Sequence, residues 1–260
     1  MSIKLTIKSW KTSKHPLQKG FYIFFLLFWR TFIIPFRLLF SPKHRSLLLL
    51  KYFSKHDIHQ ISNYTEFNRY PDLFSSCSVF MQGKKNLTIL SYGCSTGEEV
   101  FTLRKYFPKA KIVGVDINKT NIRKAHRQNN DSRIVFSDEI KNTLAEYGPF
   151  DLIFALAVLQ RTENRKENIV ESSNIYPFEK FNAKLSELDS YLKPNGLFVI
   201  DHADYLFEEA DIYSHYRALK GEHNTVHERY LFDKENRKMS EYVTHHRIFV
   251  KTFSDIDRSV

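Results

Sequence analysis

The residues best suited to chemistry in this chain lie at one turn. Gly93 and Gly97 bracket Cys94, Ser95 and Thr96, and Glu98 and Glu99 follow at once. A strand-like run over residues 87–92 precedes the turn, and a second run over residues 111–115 ends in the acid Asp116. Strand, glycine turn, helix and acid-ended strand form the opening of a nucleotide-binding α/β domain. The dinucleotide pattern G-x-G-x-x-G is not met, because the two glycines stand four apart and no third lies inside the helix. A pyrophosphate would sit at the positive end of that helix, where two glutamates repel it. The same acids suit a ligand that has no phosphate and carries a cationic amine, and S-adenosylmethionine is such a ligand. Asp116 stands where an acid accepts hydrogen bonds from a ribose diol. The alternatives are a nicotinamide cofactor and a Rossmann-like domain that binds no ligand.

The elements around this turn alternate. Helices are expected near residues 97–107, 119–129 and 177–193, with strands at 111–116, 133–137, 150–156 and 196–201. Such alternation predicts a doubly wound α/β fold with a mostly parallel, seven-stranded, Rossmann-like sheet. Residues 228–232 and 246–253 are expected to close it as a C-terminal antiparallel hairpin around the turn-prone residues 233–237. Ser137 and Asp138, after the third strand, are placed to meet an adenine amino group, although Asp138 could instead cap a helix. Ile117, Ala155 and Leu156, at strand ends on the same edge, complete the expected cofactor contacts. Cys94 reads as a small packing residue within the turn rather than a nucleophile.

Composition divides the chain. Residues 1–85 hold ten Lys and four Arg against three acids, whereas the whole chain has a net charge of +10, so the remainder is close to neutral. That balance argues against a broad nucleic-acid groove across the α/β domain, although a basic tail alone could hold RNA. Two cysteines imply no disulfide framework and a reducing, cytoplasmic setting. No metal-ligand spacing appears. Residues 21–40 are almost wholly apolar, interrupted by Arg30, Pro35 and Arg37. Their length would permit a membrane span, but a central arginine costs about 2.5–3.5 kcal/mol on insertion scales. Arg30, Arg37, His44 and Lys51 recur every seven residues, a basic ridge of the kind an interfacial helix presents to an anionic membrane. Surface attachment, peripheral or monotopic at the inner face, competes with packing on the domain as a lid and with spanning. No signal-peptide cleavage pattern follows the apolar run. Three regions result: a basic apolar extension (residues 1–55), a helical cap contributing to the cofactor site (56–85) and the cofactor-binding domain (86–260).

A family resemblance rests on four segments: NYTEFNRYPDLF at residues 63–74, SYGCSTGEEV at 91–100, FDLIF at 150–154 and YLKPNGLFVIDHAD at 191–204. Together they resemble the chemotaxis-receptor glutamate methyltransferases, over about residues 62–205. The resemblance implies a class I S-adenosylmethionine-dependent methyltransferase and makes Asn63, Thr65, Arg69, Glu99 and Asp116 ligand contacts. Thr65 and Arg69, one turn apart if helical, could share the methionine carboxylate.

The pattern also breaks in places. The family's Arg-Asn pair falls on Leu156 and Ala157, and its G-H-S-E falls on residues 201–204, which keep only His202 and an acid. Between Asp116 and Phe150 the chain is too short for the family's receptor-docking subdomain. The implied reaction is O- or N-methylation of an unidentified acceptor. His202 is the candidate general base by position, if one is needed, and a loop histidine bonded to its neighbours is the plainer reading. Residues 161–174 form a polar loop on the substrate side, and Tyr205, Tyr213, His215 and Tyr216 are candidate lining of an acceptor pocket. Two rival readings are a cofactor-binding regulator at a membrane that transfers no methyl group, and an RNA methyltransferase using the basic tail.

Overall fold

The computed structural model describes residues 10, 13, 15–33, 35–36, 40–41, 45, 58–60, 64–219, 225–226, 230–241 and 243–252. The chain divides into two compact units, Met1–Ser54 and Lys55–Val260.

The first unit is built on helix α1 (Pro16–Phe28), begun by a proline whose fixed φ suits the first helical position. A five-residue π-helical segment (Trp29–Ile33) follows, and Arg30 falls within it. The Thr31 hydroxyl donates to the Leu27 carbonyl at 2.8 Å, a side-chain bond of the kind that loosens a helical ladder. No α1 residue is buried: Leu17, Phe21, Phe24 and Leu27 are all exposed, as is Phe32 in the π segment. Among the described residues no helix is long and apolar enough to cross a membrane. Arg37, His44 and Lys51, three members of the expected basic ridge, lie outside the described residues.

The second unit contains α2 (Pro71–Phe80), β1 (Thr88–Tyr92), α3 (Glu98–Tyr106), β2 (Lys111–Val115) and α4 (Lys119–Gln128). It continues with β3 (Ile134–Ser137), α5 (Ile140–Tyr147), β4 (Phe150–Leu156), α6 (Phe178–Asp189) and β5 (Leu192–Asp201). The last strands are β6 (Tyr216–Ala218), β7 (Thr225–Val226), β8 (Thr244–His245) and β9 (Ile248–Lys251). The seven-stranded sheet has the order β3-β2-β1-β4-β5-β9-β6, and β7 pairs with β8 apart from it. Strands β1 to β5 run parallel, and β9 is antiparallel to both β5 and β6.

Near-continuous apolar strands require cover on both faces, and alternation decides which face each residue serves. In β4, Ile153 and Ala155 join Leu90, Tyr92 and Val113 beneath α5 and α6, where Phe181, Leu185 and Leu188 pack. Leu152, Phe154 and Leu156 point the other way, with Leu73 and Phe74 of α2, Val100 and Leu103 of α3, and Ile122 of α4. Because β1 lies between β2 and β4, the chain changes direction there, and in open α/β sheets such a point marks the crevice outside the strands' carboxyl ends where ligands bind.

Three sequence expectations change. β9 pairs antiparallel with β5 and β6; of the expected partner strand 228–232, residues 228 and 229 lie outside the described residues, and Phe232 makes isolated bridges to Tyr205 and Lys238. α6 stops at Asp189 because residues 192–195 are drawn into β5 beside β4. α5 was not anticipated; it is eight residues long and only Thr143 and Leu144 are buried, so its periodicity is faint.

Candidate cofactor and acceptor site

The turn after β1 is left-handed at three positions, with φ of 80° at Gly93, 50° at Ser95 and 99° at Gly97. At Gly93 a Cβ would lie 2.6 Å from Val158 Cγ2, so both conformation and space demand glycine. The Gly93 and Cys94 N–H groups both donate to the Val115 carbonyl, at 2.8 and 3.0 Å, which clamps the turn to the end of β2. Cys94 is buried, and burial with the nearby Asp116 and Glu99 charges pushes its thiol well above the usual range. A protonated, buried thiol packs, as expected from the sequence.

Asp116 ties this turn to the next. One carboxylate oxygen accepts from the Ser95 N–H at 2.9 Å, the other from the Asn118 N–H at 2.7 Å. Asn118 then caps α4, accepting from the Thr120 N–H at 3.0 Å. Ile117 lies between them, half-buried. Burial raises the Asp116 carboxyl above its ordinary value, partly offset by those N–H donors. The Asn121 side chain is a third donor to this carboxylate; a carboxylate has about four acceptor sites, so one acceptor direction is left.

Glu99, in the first turn of α3, accepts from the Ser91 hydroxyl at 2.8 Å. Burial lifts its carboxyl to about 7, against the pull of that bond and of the Arg69 charge. Glu98 faces elsewhere and accepts from the Thr96 hydroxyl. Two carboxylates with raised pKa values therefore flank the glycine turn.

The residues before α2 reach the same region without forming a helix. Thr65 and Arg69 do not share a helical turn, because Asn68 is left-handed (φ 53°) and α2 starts only at Pro71. The Asn68 N–H donates to Thr102 Oγ1 at 3.0 Å, and its side-chain oxygen accepts from the Tyr106 hydroxyl at 3.0 Å, docking the segment on α3. The Arg69 guanidinium lies 5.3 Å from the Tyr64 ring centroid and 5.1 Å from that of Tyr70. Asn63 lies outside the described residues.

On the third strand, Ser137 and Asp138 are half-buried. Ser137 Oγ accepts from the Glu139 N–H at 3.0 Å, and Asp138 pairs with Lys119 at 3.4 Å. Asp138 does not cap α5; Glu139 holds that position. Ala155 and Leu156 are buried at the end of β4.

Opposite the glycine turn, His202 takes a left-handed conformation (φ 53°) and donates its N–H to Asp201 Oδ1 at 2.7 Å. Its Nδ1 lies 3.2 Å from the same oxygen, and its ring stands edge-on to Tyr70 at 5.8 Å. Residues 161–174 are anchored at their start, where Asp204 accepts from the Arg161 N–H at 2.7 Å and from Asn164 Nδ2 at 2.8 Å, and most of the segment is exposed. Tyr205 and Tyr216 are buried, their hydroxyls donating to the Tyr176 carbonyl and to Asp189, each at 2.5 Å; Tyr205 also lines a small cavity with Asp201, Ala203, Phe207 and His246.

Sequence reasoning missed the group on the α6 side of the crevice. His59 is buried, 2.6 Å from the Tyr176 hydroxyl and edge-on to Tyr92. Burial and the charges of Lys184, Lys180 and Arg161 hold its pKa well below the usual value. No local pattern announces this group; only the four-residue spacing of Lys180 and Lys184 hinted at a shared helix face.

The sheet order and the turn between β1 and α3 define a Rossmann-like domain. Residues 83–246 match the methyltransferase domain family, and the chain belongs to it. No curated protein matches the sequence. Among solved structures the chain is similar to the plantazolicin methyltransferase BpumL in complex with a monoazolic desmethylPZN analogue and SAH, at 22% identity and TM-score 0.39. That match covers 63% of this chain and 55% of BpumL, so the chain spans about half the neighbour's length. It is also similar to a ribosomal protein methylase from Lactobacillus delbrueckii subsp. bulgaricus, at 17% identity and TM-score 0.43, over 70% and 79% of the two chains. A third similarity is to WbdD, at 18% identity and TM-score 0.43, over 75% and 44%.

Proposed function

We propose that the crevice between β1 and β4 holds S-adenosylmethionine and presents its methyl group to an O or N acceptor seated beside residues 157–165 and 201–204. The observation that carries this reading is the placement of two half-buried carboxylates on either side of the glycine turn, Glu99 held by the Ser91 hydroxyl and Asp116 by the Ser95 and Asn118 N–H groups. A cationic ammonium beside Glu99 would favour its ionised form, and a ribose hydroxyl would use the remaining acceptor direction of Asp116. When bound, S-adenosylmethionine supplies a methyl group on a sulfonium. This chain's residues supply position and dryness: the turn fixes the ligand against Val115, Ala155 and Leu156 form an apolar wall, and Arg69 offers a guanidinium to a carboxylate. Ser137, Asp138 and Ile117 are assigned to the adenine end. His202, held by Asp201, is the candidate base for an acceptor that must lose a proton.

The closer kinship to chemotaxis-receptor glutamate methyltransferases is proposed for the cofactor half alone, supported by the docking of residues 64–70 on α3 through Asn68. Calorimetric titration of the full chain with S-adenosylmethionine and with NAD tests the cofactor reading. Binding of the first alone is expected; binding of NAD alone would end it.

The exposed apolar surface of α1 supports a second element, attachment of residues 1–55 to an anionic membrane. The full chain should float with phosphatidylserine-rich vesicles, and a variant with Phe21, Phe24 and Leu27 changed to Ser should not. Equal recovery of both proteins in the pellet-free lipid fraction would reject α1 as the anchor.

A further inference from the structure

Helix α4 sets local helix rules aside in one direction only. Its sequence, KTNIRKAHRQ, holds Lys119, Arg123, Lys124 and Arg127 and no acid, although the α/β portion of the chain is close to neutral as a whole. A cation in the first turn opposes the helix dipole, and Lys119–Arg123 and Arg123–Arg127 are like-charged pairs four residues apart, which weaken a helix. Packing offsets this from the other side, where Ile122 and Ala125 are buried with Ile134 and Phe136 of β3. All four cations are exposed. A local rule broken repeatedly on one face marks that face as kept for a partner.

The four cations form one surface. Lys119, Arg123 and Arg127 stand at i, i+4 and i+8, a ridge of about 12 Å flanked by Lys124. Arg123, Lys124 and Arg127 make no ion pair or side-chain hydrogen bond among the described residues. Lys119 meets Asp138 at 3.4 Å, yet its side chain is 74% exposed. Beyond the helix one acid, Asp131, serves both Arg104 at 2.7 Å and Arg133 at 3.8 Å, so this end also stays positive. β3 borders the sheet, which puts α4 at an edge of the domain rather than in a groove. Its complement is a broad anionic surface.

We propose that this face of α4 is a contact for the phosphates of an anionic bilayer. The choice of occupant rests on the membrane attachment proposed for α1; the charge pattern is independent of it. A nucleic acid would add stacking to its phosphate contacts, and the face offers little for that. α4 has no Phe, Tyr or Trp, and the ring of His126 stands edge-on to Phe136 at 6.0 Å. Lys119 opens α4 three residues after Asp116, so a lipid-bound α4 sets the Asp116 rim of the crevice beside the headgroups. Each cation near such a surface strengthens binding about fivefold, so Arg123, Lys124 and Arg127 together contribute about 100-fold.

The test floats the full chain with vesicles of phosphatidylcholine alone and of phosphatidylcholine mixed with phosphatidylserine, at low and at high salt. One variant combines Arg123→Gln, Lys124→Gln and Arg127→Gln, since glutamine keeps helix propensity. A control combines Lys85→Gln, Lys141→Gln and Lys166→Gln, exposed cations off α4 whose loss changes the net charge equally. Thermal midpoints report that both are folded. On phosphatidylserine vesicles at low salt the α4 variant should lose about 100-fold in affinity and the control less than about fivefold. On phosphatidylcholine alone the α4 variant should match the wild type, and high salt should shrink its deficit. If the triple variant melts early, Lys124→Gln alone, expected to lose about fivefold, takes its place. An α4 variant that loses no more than the control overturns the contact and leaves the α1 anchor standing. A wild type that binds neither vesicle overturns the membrane reading and the contact with it. Salt-sensitive retention of polyuridylate that the α4 variant loses, with no loss on vesicles, assigns the face to nucleic acid and also overturns it.

Discussion

Arg247 and Asp201 pair at the carboxyl end of β5, Nη1 to Oδ2 at 3.3 Å, both buried. The same guanidinium reaches Asp72 at 2.5 Å, so it joins α2 to the end of the strand that leads into His202. Removing one partner of a buried pair leaves the other charge uncompensated, a loss of about 3–5 kcal/mol. Arg247→Met should therefore destabilise the domain by that order in urea denaturation. Adding Asp201→Asn should return part of the loss, and a double-mutant cycle with no coupling would show that the pair contributes nothing.

Glu99 should make ligand binding depend on pH. Burial raises its carboxyl to about 7 from an ordinary 4.5, so its protonated form favours the folded chain. That contribution is fully present below about pH 4.5 and is lost as pH rises through about 7. A cationic ligand beside it lowers its pKa, and binding then releases a proton. Affinity for S-adenosylmethionine should rise with pH between about 5 and 7, by up to about tenfold per unit, and level off above. Ser91→Ala removes the hydroxyl that steadies the ionised form and should move the midpoint upward. Calorimetry in buffers of different ionisation enthalpy measures the released proton directly; a flat profile would dissociate Glu99 from the ligand.

Asp116→Asn tests the ribose contact. The amide retains the shape but places an NH2 group against the Ser95 or the Asn118 N–H, and removes the charge. A hydrogen bond to a charged group contributes about 1.5–3 kcal/mol, so S-adenosylmethionine affinity should fall about 10- to 100-fold. Adenine should lose much less, because it lacks the diol, and an equal loss for both would place Asp116 elsewhere in the site.

Gly93→Ala should disable the turn by two separable routes. Its φ of 80° is unfavourable for an L residue, and the new Cβ would meet Val158 at 2.6 Å. Combining it with Val158→Gly removes both the Cγ2 contact and the Cβ contact at 2.9 Å but not the backbone strain of about 1–2 kcal/mol. Thermal midpoints are expected in the order wild type, double variant, single variant.

If His202 is the base, His202→Gln should lower kcat about 10²- to 10⁴-fold and remove the acid limb of the rate profile while leaving S-adenosylmethionine affinity intact. A proportionate fall in cofactor affinity would instead make it a residue that holds the Asp201 turn.

The parallel strands were legible because β1, β2 and β4 are short apolar runs bounded by turn residues, and Asp116 stood out as an acid ending one of them. The antiparallel edge was not, since β6 is three residues long and pairs with a strand more than thirty residues later. Thr65 and Arg69 were read on a helix from their spacing, but the left-handed Asn68 and its bond to Thr102 override local propensity. Arg161, Lys180 and His59 come together only through the fold; separations above one hundred residues between partners leave no trace in local sequence.

The two outer strands of the sheet are β3, with four residues, and β6, with three. Such short borders offer another chain little main chain to zip onto, which guards against fibril-like stacking of one sheet on the next. Crowding of this protein with itself would therefore run through side chains, and the bare aromatic rings of α1 are the adhesive surface.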